Sequence, residues 1–261
     1  MCAYRKIAFV MVLAFCVIVT SVPAAQDWPQ LKHNSRHAGD APERQVKTPL
    51  KLVAAEPLSD AVFTAPAVAE GRVYVVDGAG VAWCFDARTL NLIWKFRTAG
   101  GKANCNNVSS PAVVGGFLHF GTMAGDYYVL DARDGRVVKR IETGDPIFSA
   151  PVVGNGRVYA ATLGSRVYAL KPNGTVCWTW DYVRKRLDFS GDRWSGEDWL
   201  RIRGRAGWRE QFCCVRNIAF TGEHVVVPAG GNICWLEDQE DEARLHATHA
   251  GRREAPATLG L

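Results

Sequence analysis

Short runs in which apolar and polar positions alternate recur along the middle of the chain, each about five residues long and each bounded by glycine. Arg72-Val73-Tyr74-Val75-Val76 is followed across Gly80 by Val81-Ala82-Trp83-Cys84-Phe85. The pattern returns as Phe117-Leu118-His119-Phe120 with Tyr127-Tyr128-Val129-Leu130, and as Arg157-Val158-Tyr159-Ala160-Ala161 with Arg166-Val167-Tyr168-Ala169-Leu170. A last pair is His224-Val225-Val226-Val227 with Ile233-Cys234-Trp235-Leu236. β-branched and aromatic residues suit a pleated sheet, and glycine accepts the positive φ of a tight turn, so each pair predicts a β-hairpin. A further strand is predicted after three of them, at residues 91–96, 136–141 and 175–180.

The hairpins are copies of one unit. Ala65-Pro66-Ala67-Val68, Ser110-Pro111-Ala112-Val113 and Ala150-Pro151-Val152-Val153 each precede a glycine, Gly71, Gly116 or Gly156, and Gly222 opens a fourth copy without the proline. Fifteen residues past these glycines stand Asp86, Asp131, Lys171 and Glu237. The glycines are 45, 40 and 66 residues apart, which leaves an insertion of roughly 25 residues within about 181–212. A four-stranded unit of this period predicts an all-β fold, a partial β-propeller of about four four-stranded blades with a short inserted segment. The expected organisation is a signal peptide at 1–25, a lead-in at 26–60, the repeats at 61–240 and a disordered tail at 241–261. No strand alternation is seen in that tail.

The string from Ser110 to Gly135 resembles the repeat of the pyrroloquinoline-quinone (PQQ) propeller family, as do residues 65–94 and 150–178. Asp27-Trp28-Pro29-Gln30 and Arg36-His37-Ala38-Gly39 are similar to the start of its exported members. The resemblance implies that a tryptophan closing each repeat docks onto the next blade. Trp94 and Trp178 stand at that place, whereas the second copy has Lys139. The family includes quinone-dependent alcohol dehydrogenases, whose blades enclose PQQ and a calcium ion, and a non-catalytic lipoprotein of outer-membrane barrel assembly. A repeat defines a scaffold and leaves the activity open. A non-catalytic binding or scaffolding module is the leading expectation, and a truncated PQQ-dependent alcohol or sugar dehydrogenase-like oxidoreductase the alternative.

Charge and targeting narrow the setting. Arg5 and Lys6 precede an apolar run at 7–19 that ends in Pro23-Ala24-Ala25, the three-part pattern of an export signal, so a periplasmic or secreted protein is expected. The run is shorter than the roughly 20 residues of a membrane span, and no transmembrane segment is expected. Of 261 residues, 31 are Lys or Arg and 26 Asp or Glu, a net +5 too mild to indicate nucleic-acid binding. Outside the leader, six cysteines (Cys84, Cys105, Cys177, Cys213, Cys214 and Cys234) allow disulfides in an oxidising compartment, with the pairing open.

Candidate chemistry is sparse. Adjacent Cys213 and Cys214 resemble the vicinal pair that lies against the cofactor in PQQ alcohol dehydrogenases. A cofactor contact, disulfides to other cysteines and free buried thiols all remain open for them. The insertion mixes cations with aromatics, and Arg193, Trp194, Trp199, Arg201, Arg203 and Trp208 are candidates for a partner or ligand surface, the alternative being a structural cover. Ser195 and Asp198 form a helix-cap pattern. Asp188, Ser190 and Asp192 have part of the spacing of a calcium loop without its glycine and closing glutamate. The repeated acids are expected to bond turn amides, and His119 to be a packed residue in place of the strand tyrosine. No catalytic triad, haem, phosphate-loop or metalloprotease motif is present. The partner is expected to be a protein, polysaccharide or small ligand. Self-association is a further expectation, because an open propeller arc leaves sheet faces exposed.

Overall fold

Each glycine-bounded pair closes into a hairpin, and each hairpin gains an inner and an outer strand. The computed structural model describes residues 27–41, 48–204 and 207–250, so the expected signal peptide and residues 251–261 lie outside the described residues. Blade one comprises β1 (Ala67–Ala69), β2 (Arg72–Val76), β3 (Val81–Asp86) and β4 (Leu92–Arg97). Blade two comprises β5 (Ala112–Val114), β6 (Phe117–Gly121), β7 (Asp126–Asp131) and β8 (Val137–Glu142). Blade three holds β9 (Val152–Gly154), β10 (Arg157–Ala161), β11 (Arg166–Leu170) and β12 (Val176–Asp181). Blade four holds β13 (Ala219–Phe220), β14 (His224–Ala229), β15 (Asn232–Asp238) and β16 (Ala243–Ala250). All four sheets are antiparallel meanders, and the inner strands β1, β5, β9 and β13 stand side by side. Strand β7, between two other blades, is buried along its whole length, as expected of a sheet covered on both faces.

The strand β16 corrects the expectation of a tail without strands from residue 241. Its sequence lacks β-branched runs, but β15 offers it a free edge, and the ladder from Asp238↔Ala243 to Asn232↔Ala250 fixes it there. Every blade carries a β-bulge between its third and fourth strands, at Cys84/Phe85, Val129/Leu130, Ala169/Leu170 and Trp235/Leu236. In each case one outer-strand residue is left without a partner: Ile93, Val138, Cys177 and His246.

Neighbouring blades are latched by equivalent side chains. Arg72 Nη1, Tyr74 Oη and Trp94 Nε1 all donate to Ala132 O, at 2.9, 3.2 and 3.0 Å. Two blade junctions further on, Arg157, Tyr159 and Trp178 converge on the Asp238 carboxylate at 2.5, 2.5 and 2.6 Å. Between them, Phe117, His119 and Lys139 hold the matching places, and His119 Nε2 alone donates, to Pro172 O at 2.8 Å. Burial pushes the pKa of His119 down to about 4, so the ring is neutral and its Nδ1 accepts from Tyr127 Oη.

The segment after Asp27 runs across the inner strands of all four blades. Trp28 exchanges two backbone hydrogen bonds with Val68, Pro29 O accepts from Val113 N, and Ser35 O accepts from Phe220 N. The Gln30 side chain pairs with Val153, and His37 Nε2 lies 2.7 Å from Ile218 O. A stretch that the sequence marks only as a lead-in is thus a strap at the hub.

Candidate functional site

Between β12 and β13 the insertion carries three short helices, α1 (Tyr182–Lys185), α2 (Gly196–Arg203) and α3 (Trp208–Gln211). The Asp181 carboxylate caps α1 through Val183 N and Arg184 N, Ser195 Oγ caps α2 through Asp198 N, and Gly204 ends α2 at φ 66°. The far end of the insertion is tied down by Ser165 Oγ, which donates to Phe212 O, and by Gly231 N, which donates to Glu210 O. The segment therefore sits against the β10–β11 and β14–β15 turns.

Under it lies a partly buried network of two arginines and two aspartates, with Asp145 and Arg193 buried and Arg166 and Asp181 half-buried. Asp145 accepts from Thr162 Oγ1 at 3.1 Å and Trp194 Nε1 at 2.9 Å, and lies 3.3 Å from Arg166 Nη1. Asp181 accepts from Arg193 Nη2 at 2.5 Å and Arg166 Nε at 3.4 Å, while Arg193 Nη1 donates to Gly164 O. Burial alone would raise the pKa of Asp181. The hydrogen bond and charge of Arg193, with Arg184 N and the charge of Arg166, carry it below the ordinary carboxylate value instead. A hollow of about 270 Å³ opens over this network, lined among others by Arg184, Asp192 and Trp194.

The surface candidates in the insertion divide accordingly. Arg193 and Trp199 are buried, and Arg193 also lines the hollow. Trp199 stacks between Phe189 and Phe212 and donates to Arg193 O, and Trp194 is half-buried against Phe212 and Asp145. Their apolar rings are better covered than wetted, and Asp181 supplies the counter-charge that lets Arg193 enter. Arg201 is exposed and pairs with Asp198 at 2.7 Å. Arg203 and Trp208 belong to α2 and α3, and their side chains lie outside the described residues.

Cys213 and Cys214 are buried thiols that are not joined in a disulfide. Burial pushes the Cys214 thiol up to about 12, and the local backbone is committed, Cys214 N to Leu163 O and Cys213 O to Gly230 N. Calcium takes six or more oxygen ligands. Among the described residues, the group of His, Cys, Asp or Glu side chains placed to converge on an ion is His224, Glu237 and His246, two imidazoles and one carboxylate. Asp86 and Asp131 are occupied with turn amides, those of Arg88 and Thr89 and of Arg133, and Asp192 receives Trp194 N. Among the described residues, no group made of Asp and Glu side chains alone converges as the oxygen ligands of calcium would.

The sequence matches the family described as outer membrane protein assembly factor BamB (PQQ_2) over residues 51–171 and 111–253. No curated protein sequence matches it significantly. Among solved structures, it is similar to the quinohemoprotein alcohol dehydrogenase ADHIIG of Pseudomonas putida HK5 (17% identity, TM-score 0.61, 86% of this chain and 40% of that one). It is equally similar to the quinohemoprotein alcohol dehydrogenase of Comamonas testosteroni (18%, 0.61, 86% and 41%). BamB of Moraxella catarrhalis matches at 14% identity and a TM-score of 0.49, over 72% of this chain and 48% of that one. The chain thus spans about two fifths of the length of the two dehydrogenases, and the likeness is one of fold. Among the described residues no helix is long and apolar enough to cross a membrane.

Proposed function

The chain belongs to the PQQ_2 family, described as that of the outer membrane protein assembly factor BamB, and we propose from this premise that it is an exported, non-catalytic binding or scaffolding module whose partner is a protein. The observation that carries this reading is the saturation of the insertion network. Asp145, Asp181, Arg166 and Arg193 bond one another, Trp194 and the backbone, so the charged groups on this face hold the insertion in place. A catalytic group has to be poised for a proton or a substrate rather than spent on architecture.

What the insertion presents outward suits recognition. Leu200 is 56% exposed beside the exposed Arg201, and Arg184, Lys185 and Arg186 line the exit from α1. An apolar residue among cations on a loop held by a rigid scaffold favours an acidic protein surface over a neutral polysaccharide or a small ligand. Export rests on the leader pattern at residues 1–25.

Reconstitution separates this reading from the dehydrogenase alternative. The purified chain is incubated with PQQ and Ca²⁺, and quinone absorbance and alcohol-dependent dye reduction are followed. The expected result is neither retained quinone nor activity; stoichiometric quinone with alcohol-dependent turnover overturns the proposal.

A further inference from the structure

Glu237 departs from its equivalents in the first two blades. Asp86 and Asp131 turn back onto the amides of the following turn, but Glu237 reaches across the sheet, and its Oε1 accepts from His246 Nδ1 at 2.8 Å. His224 is the residue opposite Glu237 in the β14–β15 ladder, and its ring centroid lies 4.5 Å from that of His246. His246 is the bulged residue of β16, unpaired between the Trp235↔Ala247 and Leu236↔Leu245 pairs. The bulge that leaves Ile93, Val138 and Cys177 unpaired in the other blades here places an imidazole beside a carboxylate.

The trio has the marks of a ligand set. One nitrogen of each imidazole and one carboxylate oxygen all lie within 4.8 Å of one another. The neighbours Val225, Val227, Cys234 and Leu236 are buried in the core shared with blade three. Alternation along the strands therefore turns His224 and Glu237 to the opposite, solvent-facing side. His224 and Glu237 keep 19% and 33% of their side-chain surface and His246 keeps 52%, so the cluster is anchored at its base and reachable at its tip. An adjoining hollow of about 500 Å³ is lined by His224, Trp235, His246, Ala247, Thr248 and His249.

We propose that His224, Glu237 and His246 form a binding site for a divalent transition-metal ion of the zinc type. Two imidazoles and a carboxylate are borderline ligands that suit zinc, nickel or copper and not calcium or magnesium. Bond lengths of about 2.0–2.2 Å put tetrahedral donors roughly 3.4 Å apart. Drawing the trio together takes side-chain rotations of about an ångström, with the metal displacing the proton that His246 and Glu237 share. Three protein ligands leave a position facing the hollow for water or for a donor from a bound molecule. Arg244, opposite Glu237 in the β15–β16 ladder, opposes a cation, whereas Glu223, with Oε2 3.9 Å from His224 Nδ1, favours one. The site stands independently of whether the module is catalytic.

The test is calorimetric titration of the untagged full chain with Zn²⁺, with Ca²⁺ as control, repeated on His246→Ala and Glu237→Gln. We expect one Zn²⁺ per chain, no saturable Ca²⁺ binding, and a loss of more than about tenfold in Zn²⁺ affinity for each variant, since even outer-shell changes cost that much. Unfolding midpoints in the presence of chelator show that the variants remain folded. If either folds poorly, protection of His246 from diethylpyrocarbonate by Zn²⁺ in the unaltered chain reads the same site. Absence of one-to-one Zn²⁺ binding, undiminished affinity in both variants, or modification of His246 indifferent to Zn²⁺ overturns the proposal.

Discussion

The side-chain amide of Gln30 forms a two-bond ring with the backbone of Val153, 123 residues away: Nε2 donates to Val153 O at 3.4 Å, and Oε1 accepts from Val153 N at 2.9 Å. Gln30 is 6% exposed, so an edge of β9 that water cannot easily reach is satisfied from the strap. Replacing Gln30 by Ala leaves both Val153 groups unpaired, and the expected cost is about 1–3 kcal/mol. Urea unfolding checks this: the midpoint falls while the slope stays the same. An unchanged midpoint would mean that the strap does not brace blade three.

Blade docking is testable at Trp94 and its counterpart. A Cβ on Gly135, where φ is 74°, would stand 2.6 Å from the Trp94 ring, so Gly135→Ala is expected to cost about 1–3 kcal/mol. Lys139 lays its stem over Gly174 in the same manner. Lys139→Trp is therefore expected to leave the fold intact and to stabilise it by about 1 kcal/mol at most, read as a raised thermal midpoint. A lowered midpoint would contradict the equivalence of the two sites.

How far the sequence revealed all this differs from residue to residue. The glycine spacing exposed the hairpins because each turn needs positive φ, and His119 was readable as packed because it stands where Tyr74 and Tyr159 stand. The role of the strap was hidden: Gln30 and His37 bond carbonyls that are distant along the chain, and no local pattern encodes that. Arg193 and Trp199 have the composition of a solvent-facing patch, but Asp181 and Gly164 O draw Arg193 inward and Phe189 and Phe212 enclose Trp199, contacts that only the fold brings together. β16 was missed because its strand character comes from the edge of β15 and not from its own residues. With it went His246, whose pairing with Glu237 depends on the bulge.

The buried ion pair and the surface one should respond differently. Arg193→Ala strands Asp181 and is expected to cost about 3–5 kcal/mol, against at most about 1 for Arg201→Ala at the exposed Asp198 pair. Chemical denaturation of the two variants checks this, and equal small effects would contradict the structural role given to Arg193.

Acid should unfold the chain through its depressed carboxylates. Asp131, bonded by the side chain and backbone of Arg133, is held down to about 2, and Asp181 also lies below its ordinary value. A carboxylate whose folded pKa is lowered contributes stability that is present above its unfolded pKa, near 4, and lost as pH falls through the folded one. Stability is thus expected to fall from about pH 4 towards pH 2. Fluorescence-monitored unfolding at stepped pH checks it, and a flat profile would contradict it.

Thiol labelling reads the cysteine assignment. Cys105 is exposed, Cys177 intermediate, and Cys84, Cys213, Cys214 and Cys234 are buried. At pH 8 an aromatic disulfide reagent should modify Cys105 quickly and the buried four only after unfolding, because burial withholds all four and a raised pKa adds to this at Cys84, Cys214 and Cys234. Rapid native labelling of Cys214, or a Cys213–Cys214 disulfide by mass, would contradict the structure.

The four blades are held here as one platform by the strap at their hub, and amide hydrogen exchange tests that most directly. Val68, Val113 and Phe220 donate their N–H groups to the strap backbone and Val153 donates to Gln30. In the native chain all four amides should exchange together, through global opening. Exchange at four separate rates, or fast exchange at all four, would show blades that open independently and a strap that binds nothing.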